Sequence, residues 1–589
     1  METAAEKNPR SQVRIDWRDA ATWLGFSFVA LGFLALKSYA FHWQVGDENV
    51  YFYMAWATAE HGALPYGDYF FAHPPLHLLP GVGLFALFGF GPVTARILPI
   101  LASLLGAFFL FRLVWGRAGR VSALLTVLFY LGAFSLLRAS SHWTGINLSV
   151  MWICAGLWAL LGLKTRPLLA GLFFALGVGT GNYVLPAAVM AALLALLRDP
   201  KDALRYFAGF IVPWLAIQGL GLALGGGAYW DGVYLYHFLK PVKEGVSRAM
   251  FVRVFGDNFI LFLGLLLSPV MAWLDGRLSK GSGLASPEGN TTGEGAIWQR
   301  VWRWARLQLW QEGVLSLMRV GAMWSLGYIL FIANLPRVFP FYFLLFFPAM
   351  ACCAGLVATR GGQHVVGLIR RRGSRDKTWW EAGFVLAVVV LFVALAGAVR
   401  VPMQRALLPK YVRSMDKPMR WSDSPLPMIN PLMRACCWDD MAEAYQAYGT
   451  VQEVLYHESR YLGAAEELAA HVRDHSRPEH TLYGDSSTAG LVALLAGRRL
   501  AGDEADSNTM RFTTGITPPE KLISEIDRAD LKFVLVSGRV QRLRDGRVRW
   551  RFGKFARLPA FARWLRQEFK VVRQVQDRTK GWYSLLERK

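Results

Sequence analysis

Residues 20–36 read AATWLGFSFVALGFLAL, and residues 46–56 read GDENVYFYMAW. The first stretch carries no charge and is long enough to cross a bilayer, which takes about 17–25 apolar residues as a helix. Lys7, Arg10, Arg14 and Arg18 precede it. A basic flank of this kind stays on the inner side, so the segment reads as an uncleaved first helix leaving the membrane near Phe41. Asp47 and Glu48 then stand outside, at the mouth of that helix, against a run of aromatic side chains. Two adjacent carboxylates in that place set the question that the rest of the chain has to answer.

The remainder follows the same pattern. The 589 residues are 54% hydrophobic, with a mean hydropathy of +0.29. Uncharged runs recur through the first 400 positions. The net charge of +22 does not indicate nucleic acid: Lys and Arg fall in short clusters between apolar runs, the pattern that orients a multi-pass protein, rather than on one basic unit. The five cysteines, Cys154, Cys352, Cys353, Cys436 and Cys437, have neither a disulfide nor a zinc spacing.

Taking each apolar run in turn predicts spans near 97–115, 121–137, 142–163, 206–224, 259–274, 314–333, 341–357 and 382–399. Leu168–Leu197, broken by Gly-Thr-Gly-Asn at 179–182, reads as two short helices in a hairpin. Basic clusters at Arg117–Arg120, Lys164–Arg166, Arg198–Arg205, Arg277–Arg306 and Arg370–Lys377 fall on the inner side of this count. The sum is a polytopic α-helical membrane protein of about eleven helices, with its tail outside. Residues 1–19 are an inner N-terminus, 20–400 the membrane domain, and 401–589 a small extracytoplasmic α/β domain. In the tail, LYGDS at 482–486 and KFVLVS at 532–537 read as strands, and Lys521–Ala529 as a helix between them. Asp485-Ser-Ser is either a site or a helix N-cap. Gly281–Gly295 reads as a flexible inner loop, and Asn290-Thr-Thr as a chance glycosylation pattern.

The first outer loop, 42–95, is unusually long. Its 50–62 segment, VYFYMAWATAEHG, suits an interfacial helix. Pro74-Pro75 ends one element, and the Gly- and Pro-rich run 76–90 reads as a partly buried or re-entrant helix that leaves Arg96 near the outer face. Each polar residue here also has a plain explanation. Asp47 can cap a helix, Asp68 beside Gly67 can make a turn, and His73 can be an interfacial side chain with a wet tip.

The order of motifs adds to this reading. The acidic pair is followed by G-x-L-P-Y-x-D at 62–68, H-P-P-L at 73–76, L-F-G at 87–89 and A-R-I-L-P at 95–99; N-L-P-R-V-F-P-F-Y stands at 334–342. This order resembles the GT-C superfamily of membrane glycosyltransferases, closest to bacterial relatives of protein O-mannosyltransferases and lipid A aminoarabinose transferases. The resemblance implies transfer of a sugar from a polyprenyl-phosphate donor to an acceptor hydroxyl of a lipid, glycan or protein on the outer face. Asp47 would then be the general base, with Glu48 orienting the site or binding the sugar or acceptor. His73 stands where relatives carry a basic residue, and would contact the phosphate as a partly charged group. Arg337 would be the stronger phosphate ligand, with Tyr342 at the end of the same motif. Asp68, Arg96, Arg138, His142, Lys240 and Lys243 are further candidates, and snorkelling is the plain alternative for the cations among them. Arg319 and Glu312 read as helix anchors.

A divalent cation, Mg or Mn, stays open at this point, since Asp47, Glu48 and Asp68 offer oxygen ligands. No dedicated metal motif is present. The rival reading is a transporter or flippase, for which the broken hairpin at 179–182 speaks. Against it, the two halves show no inverted repeat and the polar residues cluster in outer loops. The expected location is a bacterial inner membrane, with membrane lipids and the lipid-linked donor as partners and no nucleic acid.

Overall fold

The computed structural model describes residues 17–38, 41, 43, 46–241, 246–280, 309–310, 314–335, 338–370, 462–542, 548–576 and 581–589. The expected span at 382–399, the loop at 281–295 with Asn290, and Arg337, Lys243 and Glu312 lie outside the described residues.

Helix α1 (Trp17–Ser38) is followed by α2 (Glu48–His61), α3 (Leu79–Phe88) and α4 (Pro92–Ala118). Then come α5 (Arg120–Leu131), α6 (Phe134–Ala139), α7 (Ile146–Leu161), α8 (Pro167–Thr180), α9 (Leu185–Arg198) and α10 (Pro200–Gly225). Among the described residues four helices are long and apolar enough to cross a membrane: Trp17–Lys37, Pro92–Ala118, Pro200–Gly225 and Val314–Ala333. Between them lie shorter apolar helices.

The helices depart from the expected spans where glycine intervenes. The expected 121–137 span divides after Leu131, where Gly132 closes α5 and Ala133 is extended before α6. The expected 142–163 span starts only at Ile146, because Gly145 precedes it at φ 71. The expected hairpin forms, with extended Gly181 and a single 3-10 turn, Asn182–Val184, between α8 and α9.

Close backbone approach holds the bundle together. A Cβ on Gly209 would lie 2.0 Å from the Leu168 carbonyl oxygen, and one on Gly171 would lie 2.1 Å from that of Tyr206. Such contact between α8 and α10 is open only to glycine, and it replaces the hydrophobic driving force that lipid removes.

The tail is a mixed sheet with helices on both faces. Strands β1 (Thr481–Gly484) and β2 (Leu531–Arg542) are parallel; β5 (Trp582–Arg588) joins β2 antiparallel and β4 (Phe569–Gln576) joins β5, while β3 (Val548–Phe552) pairs the far half of β2. The helix Ser486–Ala496 follows β1, and Pro519–Ile526 precedes β2. Alternation along β2 separates two cores: Val534 and Val536 pack with Phe555 and Phe561, whereas Phe533 and Leu535 join Leu482 and Leu491.

That second core does not stop at the tail. It continues into Val50, Phe52, Tyr53, Phe71, Leu78 and Trp143 of the membrane part. Helix α2 therefore does not lie open at an interface, as its sequence suggested. It is buried between α3 and the helix Ser486–Ala496, whose Gly490 leaves no room for a Cβ beside the Asn49 carbonyl (2.9 Å).

Candidate active site

The two adjacent carboxylates have opposite environments. Glu48, the first residue of α2, is buried. Its Oε1 accepts from Arg96 Nη2 of α4 at 2.5 Å, and its Oε2 pairs with His142 Nδ1. Arg96 is itself fully buried and donates a second bond to the Ser141 carbonyl at 2.9 Å. Burial pushes the Glu48 carboxyl up, but the charges of Arg96 and His142 outweigh it and hold the group down at about 2. Asp47, one residue earlier, is exposed at the N-cap position and makes no side-chain capping bond. The expected cap therefore does not form, and the carboxylate stands at the mouth of the loop.

Pro74 and Pro75 turn the chain into the single turn Pro75–His77. This stacks His73 on His77, with ring centroids 4.2 Å apart at 11°. The half-buried His73 has its Nε2 2.9 Å from the hydroxyl of Tyr51. Burial, followed by His77, His237 and Lys240, holds His73 well below the usual histidine range. It is thus neutral near pH 7, not the partial cation its position suggested. Positive charge comes instead from Lys240, whose Nζ lies 3.1 Å from His237 Nδ1 and 4.2 Å from the centre of the Tyr236 ring. His237 Nε2 lies 2.7 Å from the Ala72 carbonyl oxygen, which brings this pair alongside His73.

Tyr51 is the meeting point. Its phenol is pushed well above the ordinary range by burial, then by the charges of Asp506 and Asp47. Tyr183 and Tyr342 lie within electrostatic reach of the same phenol, their own rings 5.8 Å apart. Asp506 comes from the tail. Its carboxyl is raised by burial, with Glu504 and Asp47 adding to that against Arg511. The segment carrying it is fastened to the membrane part on two sides. Tyr53 donates to Asp503 Oδ1 at 2.8 Å and accepts from the Leu500 amide at 2.7 Å. Arg511, paired with Glu504, lies 4.6 Å from the centre of the Phe70 ring.

The structure thus brings His73 to Tyr51, with Asp47 and Tyr342 within electrostatic reach of the same phenol, and sets Glu48, Arg96 and His142 together in a separate buried cluster. Asp68 is elsewhere: exposed, with its carboxylate accepting from the Leu64 amide at 2.7 Å in a turn. Arg138 lies on α6, which packs against the turn Pro340–Leu345 that carries Tyr342. Arg319 lies in the first half of the helix Val314–Ala333. Asp485 caps nothing with its side chain; its Oδ2 accepts from the Ser537 amide at 2.8 Å and ties the end of β1 to β2. Tyr51, His77, His237 and Asp506 escaped the sequence reading. His77 carried a signal, standing four residues after His73; Asp506 lies in no motif.

Asp47, Glu48 and Asp68 do not fit a common metal ion. Glu48 is committed to Arg96 and His142, and Asp68 to its turn. Among the described residues there is no group of three or more His, Cys, Asp or Glu that could hold one.

No family model matches the sequence, and no curated protein matches it. Solved structures do resemble the fold. ArnT from Cupriavidus metallidurans bound to undecaprenyl phosphate is similar over 96% of this chain and 98% of that one, with 15% identity and a TM-score of 0.55. Its apo state matches over the same shares at 15% identity and a TM-score of 0.53. The Archaeoglobus fulgidus oligosaccharyltransferase covers 87% of this chain and 67% of its own, at 11% identity and a TM-score of 0.41. The likeness to ArnT runs the length of both chains and takes in the tail as well as the helices. The chain therefore shares the fold of ArnT, in line with the resemblance carried by its motifs.

Proposed function

We propose that this protein transfers a hexose or pentose from a polyprenyl-phosphate donor to an acceptor hydroxyl at the outer face of an inner membrane. The membrane domain, 20–400, holds the site, and the tail, 401–589, covers it from the extracytoplasmic side. The observation that supports this most is the division of labour between neighbours. Arg96 and His142 hold Glu48 inward as a charged anchor, which fixes the start of α2 and leaves the Asp47 carboxylate exposed beside Tyr51. ArnT, whose fold this chain resembles, binds undecaprenyl phosphate.

In the reaction, Asp47 takes the proton of the acceptor hydroxyl as its oxygen attacks the anomeric carbon. The bond from that carbon to the phosphate oxygen breaks, and polyprenyl phosphate leaves with the electron pair. The charge growing on the phosphate is met by Lys240 and Arg337, while neutral His73, held by Tyr51, contributes a hydrogen bond rather than a charge. Asp506 faces the acceptor from the tail and orients its hydroxyls. The acceptor is a lipid, glycan or protein hydroxyl.

The test is purified protein supplied with synthetic polyprenyl-phosphate sugars and an acceptor-rich membrane extract. Parent protein is expected to release polyprenyl phosphate, and Asp47→Asn to release it on the order of 100-fold or more slowly while still folding. Equal release by both would remove Asp47 as the base. No release with any donor would overturn the reading.

A further inference from the structure

Far from the Asp47 site, the opposite end of the bundle holds a cavity of about 520 Å³. Arg96 and Arg112 stand on the same helix, α4, about 24 Å apart along its axis. The cavity lies among the ends of α1, α4, α7 and α8 and is lined by Trp23, Arg112, Trp115, Trp158, Lys164 and Arg166. The arginines lie over indoles: Arg112 is 5.7 Å from the centre of the Trp23 ring and 5.8 Å from that of Trp115, and Arg166 is 5.5 Å from that of Trp158. Asp19, the acid in the lining, is bonded to Arg120 at 2.5 Å. Among the described lining residues, three cations thus face the cavity with no second acid.

We infer that this cavity is a second binding site, for the phosphate headgroup of an anionic phospholipid. An arginine held against an indole keeps its planar fork in place, a geometry suited to phosphate oxygens. Three cations in one concave space match a phosphodiester, and a basic pocket between helix ends at the membrane surface is where such headgroups sit. Tryptophans suit the same level of the bilayer. The volume far exceeds what a bare phosphate fills and is in the range of sites for larger ligands. Beyond Trp23, α1 exposes Leu24, Phe28 and Leu31 (71%, 79% and 63%), a ready track for acyl chains. A headgroup in the cavity with its tails on α1 therefore uses both halves of one amphipathic molecule.

The experiment is native mass spectrometry of delipidated full-length protein titrated separately with phosphatidylglycerol, phosphatidylcholine and inorganic phosphate. Expected are retention of phosphatidylglycerol over phosphatidylcholine, and a loss of affinity on the order of tenfold or more in Arg112→Gln/Lys164→Gln/Arg166→Gln. Arg112→Lys, which keeps the charge and loses the fork, should weaken binding to a lesser degree, and serves if the triple variant does not fold. Equal retention of the two lipids, or unchanged retention in the variants, overturns the site. Inorganic phosphate binding as tightly as phosphatidylglycerol overturns the lipid assignment. The readout is binding at the end of α4 remote from Asp47, so it stands or falls separately from sugar transfer.

Discussion

At the scale of single residues, Asp47 and Glu48 differ only by a methylene and a position, yet one is solvated and the other enclosed. A buried carboxylate is tolerated when its partners supply charge and hydrogen bonds together, and Arg96 and His142 do both for Glu48. Arg96→Ala leaves that charge enclosed with one cation fewer, and is expected to destabilise by about 3–5 kcal/mol in thermal unfolding in detergent. The pH dependence has a definite sign. Glu48 is held from 4.5 down to about 2, so its contribution is present above the unfolded value and is lost as pH falls from about 4.5 toward 2. Glu48→Gln should flatten the stability profile in that window and leave its shape unchanged nearer neutrality.

At the scale of elements, glycine placement decides where helices end and how near they come. Gly132 and Gly145 cut two of the expected spans short. Gly171 and Gly209 let α8 and α10 touch through their backbones. Because the atoms that a new Cβ would meet are carbonyl oxygens, they cannot swing aside. Gly209→Ala should therefore cost about 1–3 kcal/mol or more and lower the unfolding temperature in detergent. Gly83→Ala, where nothing lies within 4 Å, should leave that temperature unchanged or raise it slightly.

For the whole molecule, the membrane part and the tail share one buried apolar core, and Tyr53 fastens the tail's loop to α2 through two hydrogen bonds. Tyr53→Phe removes both partners' bonds to the phenol and leaves Asp503 and the Leu500 amide short of one, a loss of about 1–3 kcal/mol. It falls on the contact between the two parts. Limited proteolysis should accordingly release the tail faster than from parent protein, while the helical bundle stays intact. Since Asp506 reaches the site only through this docking, sugar transfer should decline with it.

Much of the helical architecture was legible in the amino-acid order because apolar run length acts locally: the broken hairpin at 179–182, the short helix after Pro74-Pro75 and the strands near 482 and 532 need no distant partner to be recognised. The acidic pair at 47–48 was legible for the same reason. What the order of residues could not decide is which carboxylate faces inward, since that depends on Arg96 and His142, brought from α4 and from the segment before α7. The tertiary structure alone also holds His73 well below the usual histidine range, by burying it on His77 beside His237 and Lys240, and carries Asp506 some 450 positions along the chain to within electrostatic reach of Tyr51. Charge state and proximity are properties of packing, and packing joins residues that sequence keeps far apart.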